Sequence, residues 1–215
     1  RNGMNFTCGE AGLLENKPQR NFWMLSTHLV PLLRKDEIEK GAEDLLLQYC
    51  PTALTDYKEH NAYLLADKMG LHVEHLPLFH QQGTLSILFF CVGTVQVADD
   101  RQKSAYVSKV TIPAGTIVIN TNAVHKDCCQ MEIYHECIHY AWHYMFFRLQ
   151  DMHNSDINKL RTKHVVITNG KVPANPLKWM EWQARRGSFG LMMPLGLMRS
   201  QIEKHLSDLH QHSLH

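Results

Sequence analysis

A chain of 215 residues with 44% apolar and 20% charged residues can bury one full core, which excludes a disordered or fibrous chain and leaves room for one domain with at most an appendage. A formal net charge of +1 gives no global electrostatic reason to expect nucleic acid as a partner. The most apolar run, LSILFFCVG at 85–93, is far too short to span a bilayer; it reads as a buried strand, and no membrane segment is expected.

Residues 1–30 carry no clean periodicity and are expected to form an arm or lead-in, with the folded domain at 31–215. Residue 1 is Arg rather than Met, as in a fragment or processed chain, and the opening RNGMNFTCGEAGLLEN lacks the apolar centre of a signal peptide. From Arg34 to Tyr49, Ile38, Ala42, Leu45 and Leu46 fall on one stripe, the pattern of an amphipathic helix that Pro51 stops. A second helix is expected in DYKEHNAYLLADKMG, with Gly70 at its C-terminal cap.

The period then changes. LHVEHLPL, TLSILFFCV, TVQVAD, SAYVSKVTI and GTIVIN are short, β-branched and separated by turn residues, among them Asp99-Asp100. They predict a small sheet of three to five strands over roughly 71–120. A long helix is expected from Lys126 to Leu149, then a hairpin around Asn169-Gly170 in HVVITNGKV. Two further helices follow, separated by Pro194. The order helix, sheet, helix, helix defines an α+β protein.

Six cysteines stand at 8, 50, 91, 128, 129 and 137 with no C-x-x-C pair. They read as reduced, mostly buried thiols of a cytoplasmic protein. The closing HLSDLHQHSLH spaces its four histidines too irregularly for one site. Arg185-Arg186 reads as a solvated face, and Trp179, Trp182, Met192 and Met193 as core packing.

The chemistry concentrates in YHECIHYAWHY at 134–144. His135-Glu136-Cys137-Ile138-His139 fits H-E-x-x-H, a pattern that a chain with fifteen histidines produces by chance about a few times in a hundred. On a helix, residues four apart share a face, so His135 and His139 can address one metal ion with Glu136 beside them. A carboxylate there can take a proton from water that zinc has acidified. A catalytic zinc needs three protein ligands. The candidates for the third are His143, His153, Asp151, Cys128 and Glu181. A straight helix carries His143 about 12 Å along the axis from His135, so it is expected to border the cleft or bond a surface group. Glu181 is better placed because it lies on a separate predicted helix, where the small Ala184 lets backbones approach. Spacing alone does not single it out.

YHECIHYAWHYMF followed by WMEWQARRGSFGLMMP resembles the ImmA/IrrE family of zinc metallo-endopeptidases, which pair an H-E-x-x-H helix with a downstream E-x-x-A-N helix running into Leu-Met-Pro. GTIVIN and LLADKMGLHV match family elements as well, and a subgroup with HEC and a histidine at position 143 is most similar. The resemblance spans about residues 34–210. It implies a zincin-like fold, His135, His139 and Glu181 as zinc ligands, and Glu136 as general base. It also implies a repressor-type protein substrate, frequently a helix-turn-helix protein. Arg185 stands where the family has Asn, Ile138 where Gly is frequent, and 186–190 depart from the family pattern. Tyr134, Tyr140, His143 and His153 are candidates for stabilising the oxyanion or lining the cleft. The reading from another class is a metal-containing sensor or binding module without proteolytic activity.

Overall fold

The period of the apolar residues changes at Gly70, and so does the structure. The computed structural model describes residues 24–26, 29–79, 83–99, 106–151, 159–161 and 176–212. Helix α1 (Lys35–Tyr49) buries Ile38, Gly41, Ala42, Leu45 and Leu46. Its Glu37 carboxylate accepts from the Arg34 backbone N–H at 2.7 Å, satisfying a donor that the first turn leaves without an intrahelical partner. Just ahead of it, Val30 and Leu33 are already in the core, so the end of the expected lead-in is anchored.

The expected second helix is split. The Asp56 side chain caps a short 3-10 turn, Tyr57–Glu59, and the Asn61 side chain takes the N–H groups of Tyr63 and Leu64 at 3.0 and 3.2 Å. Helix α2 is therefore only Ala62–Lys68. Side-chain acceptors at two places compete successfully with one continuous helix. Gly70 closes it at φ 76°, a left-handed position that costs glycine nothing.

Five strands fill the expected segment: β1 (His72–Leu76), β2 (Ser86–Phe89), β3 (Gly93–Asp99), β4 (Tyr106–Ile112) and β5 (Thr116–Asn120). A sixth, β6 (Lys159–Arg161), pairs antiparallel with β2. A strand of three residues is too short to show a period, so it could not be anticipated from the sequence. The main sheet runs β1-β5-β2-β6, while β3 and β4 form a separate ribbon. Ile87, Phe89 and Val118 point toward that ribbon's Val95, Val97 and Ile112. Leu88, Phe90, Ile117 and Ile119 join the helices in the larger core. Both faces are covered, which is why the β2 run is apolar without alternation. By the same two-residue period, Ser86 belongs to the helical side.

Helix α3 (Cys129–Asp151) crosses that side, followed by α4 (Pro176–Met192) and α5 (Leu195–His212), with the break at Pro194 as expected. The anticipated hairpin around Asn169-Gly170 lies outside the described residues. Cys50, Cys129 and Cys137 are buried free thiols, Cys91 is partly exposed and Cys128 exposed. None of the described helices is long and apolar enough to cross a membrane.

Helix α4 is wedged between α1 and α3. A Cβ on Gly187 would lie 2.9 Å from both Ile138 Cδ1 and the Trp142 ring, and one on Gly190 would lie 2.9 Å from Ala42 Cβ. The pair Arg185-Arg186 is half-buried rather than solvated, with Arg186 bonded to Glu39 at 3.3 Å. Gly187→Ala is expected to lower stability by about 1–3 kcal/mol through overpacking. Urea unfolding measures it, and an unchanged midpoint would mean that the α3–α4 gap is wider than these distances imply.

Candidate metal centre

The i, i+4 spacing on α3 brings the His135 and His139 rings to 4.7 Å between centroids, with their Nε2 atoms 3.0 Å apart. Helix α4 supplies the third donor. Glu181 Oε2 lies 3.3 Å from His135 Nε2, and its Oε1 lies 3.6 Å from His139 Nε2. These three residues are buried, with ligand atoms all within 4.8 Å of one another, and form a group able to hold a metal ion. Bonds of about 2.0–2.1 Å at a tetrahedral zinc place ligand atoms about 3.3 Å apart, which the three observed separations bracket. The donor set fits as well. Two imidazoles and one carboxylate match zinc chemistry better than the all-oxygen sites of calcium or magnesium.

Burial sets the protonation states. The His139 ring, fully buried beside His135 and His143, is held well below the usual histidine range, first by desolvation and then by those neighbours. It is a neutral imidazole, as a ligand must be. Burial pushes the Glu181 carboxyl up to about 8, with Arg185 pulling the other way. Desolvation outweighs Arg185, so without an ion Glu181 keeps its proton at neutral pH and its histidine contacts are hydrogen bonds rather than ion pairs.

Glu136 is fully buried on the side of α3 that meets β2, where the Ser86 hydroxyl donates to its Oε1 at 2.6 Å. One turn earlier, Glu132 is also buried, and desolvation raises its carboxyl against the pull of His135 and Arg185. Beneath the donor group, His139 Nδ1 meets His143 Nδ1 at 2.9 Å, His143 Nε2 meets Gln183 Oε1 at 2.8 Å, and the Gln183 amide donates to the Pro31 carbonyl at 2.6 Å.

Several expected positions fall elsewhere. His143 has no exposed surface, so it neither borders a cleft nor bonds a surface group; α4 and the segment at Pro31 roof that part of α3. Tyr134 is buried in the helical core among Cys50 and Cys137, because one residue before His135 is about 100° around the helix. Tyr140 packs edge-on against Tyr144. Cys128 is exposed in the 3-10 turn ahead of α3. Asp151 ends α3, and His153 lies outside the described residues. Ser86, Gln183 and Pro31 had no expected role: Ser86 is a lone hydroxyl in an apolar strand, and Pro31 acts through its backbone. The one available hint was Gln183, a polar residue two positions after Glu181.

No family model matches the chain, and no curated protein or solved structure matches it significantly. Fold and site define an α+β protein with a buried His-His-Glu group able to hold a metal ion.

With the Glu181 carboxyl near 8, metal uptake must displace its proton. Zinc binding at pH 7 is expected to release close to one proton per chain from this group, falling toward none above about pH 9. In the metal-free protein the same raised carboxyl contributes stability that is present below the ordinary 4.5 and is lost as pH rises through about 8. Calorimetry in buffers of different ionisation enthalpy counts the protons, and a release that does not fall between these pH values would contradict the assignment.

Proposed function

We propose that the protein is a zinc-dependent endopeptidase that hydrolyses a peptide bond in a regulatory protein, with a helix-turn-helix repressor as the first candidate substrate. The observation that carries this reading is the placement of Glu136, a fully buried carboxyl next in the chain to His135 and on the same helix as both histidines. His135, His139 and Glu181 would hold the ion. Zinc bound there would supply Lewis-acid polarisation of a carbonyl and lower the pKa of a water molecule to about 7. Glu136 takes the proton of the attacking water and returns it to the leaving amine. Ser86 fixes the rotamer of Glu136 by holding Oε1, and full burial of Glu136 keeps competing water away from the proton transfer.

The resemblance of the two linked motifs to ImmA/IrrE peptidases supports the zincin-like assignment and the substrate class. The substrate class rests on analogy alone.

One observation favours a second reading. His135 is 4% exposed and Glu136 not at all, which offers a polypeptide little surface. That suits a metal-containing sensor or binding module without proteolytic activity.

Metal analysis by mass spectrometry and mapping of new protein N-termini in cells separate the two. Glu136→Gln is expected to retain the metal but to lose about 10²–10⁴-fold in turnover. His139→Ala and Glu181→Ala are expected to lose the metal as well. Identical cleavage products from parent and Glu136→Gln would end the endopeptidase reading. A metal-loaded parent that generates no products would establish the sensor reading.

A further inference from the structure

The bonds beneath the donor group carry directional information. A proline carbonyl can only accept. Pro31 accepts from Trp179 Nε1 at 3.1 Å and from the Gln183 amide at 2.6 Å, which engages both lone pairs of its oxygen. The orientation of the Gln183 amide follows, since the flipped form would set two acceptor oxygens 2.6 Å apart. Gln183 Oε1 therefore faces His143 Nε2 at 2.8 Å and requires a hydrogen on it. His143, fully buried with an imidazole and an amide as its ring partners, is kept neutral by desolvation and then offers a bare Nδ1, which lies 2.9 Å from His139 Nδ1. His139 must carry its hydrogen on Nδ1, and the lone pair on Nε2 is turned toward His135 and Glu181. His139, His143 and Gln183 have no exposed surface, so bulk water cannot substitute for any of these partners.

We propose that His143 and Gln183 are positioning residues which transmit the acceptor character of the Pro31 carbonyl to His139 and so fix the tautomer that presents Nε2 to a metal ion. The role rests on the metal-centre reading above, whereas the tautomers themselves do not. A ligand histidine gains orientation and basicity when its second nitrogen donates to a fixed acceptor. Here that acceptor is another imidazole, whose own state is set two bonds further on by the main chain.

The test uses the full chain, metal-free, with labelled histidines. Long-range proton–nitrogen correlation spectra distinguish the two tautomers by their ring-nitrogen shifts. The expected result is hydrogen on Nε2 of His143 and on Nδ1 of His139. Hydrogen on Nδ1 of His143 would overturn the relay, whatever the protein does with zinc. In zinc titrations, Gln183→Leu and His143→Leu are expected to bind about 10–100-fold more weakly than the parent. His143→Gln should recover most of the affinity, because its amide can accept from His139 and donate to Gln183. Parent-like affinity in both leucine variants, or no recovery in His143→Gln, would overturn the positioning role. If His143→Leu does not fold, Gln183→Leu and the parent spectrum decide. A parent that takes up no zinc defeats the metal-centre reading, and the spectrum still judges the relay by itself.

Discussion

Gly187 lets α4 lie so near α3 that one added carbon would press on Ile138 and Trp142, and the polar chemistry of the molecule depends on that approach. One turn further along α4, Gly190 meets Ala42 of α1 in the same manner. A helix held this tightly by two neighbouring helices has little freedom to slide, since packed interiors resist even a methylene of displacement. Glu181 is thereby placed within 3.6 Å of two imidazoles that belong to another helix. The site is thus a property of helix packing as much as of the motif on α3.

The same packing creates an electrostatic imbalance. Glu132, Glu136 and Glu181 are each at most 8% exposed, and burial drives the carboxyls of Glu132 and Glu181 upward. Arg185 opposes this for both but does not cancel it. Burying several acids around two imidazoles is expensive unless charge is compensated. A divalent cation is the natural compensation, because it accepts lone pairs from the histidines while matching the charge of the carboxylate. Protons occupy that role in its absence, which is how a metal-free protein can tolerate such a cluster.

What could be read from the chain depended on how local each feature is. The i, i+4 pair His135 and His139 needs only a helix, and α1, α3, α4, α5 and the strands from β1 to β5 follow from apolar period and turn residues. Glu181 needs two helices to meet, and spacing alone left it among five candidates; the likeness of its surroundings to a known motif singled it out. Ser86 sits in a strand whose neighbours are all apolar, so its pairing with Glu136 was invisible until the sheet was laid beneath α3. Tyr134 could have been set aside from helical angles alone. His143 could not, because its burial comes from Gln183 and from the backbone at Pro31, 112 residues earlier in the numbering. The shortening of α2 reflects Asn61, a capping signal lying inside an otherwise helical pattern.

Helix α4 contributes both Glu181, one donor to the candidate centre, and Gln183, the amide that orients the histidine beneath it. Any loosening of α4 therefore withdraws both at once. Occupancy of the centre and docking of the helix become two faces of a single equilibrium. An ion present at a hundred times its dissociation constant adds about 2.7 kcal/mol to the docked state. Metal supply would then govern how long α4 stays docked between α1 and α3.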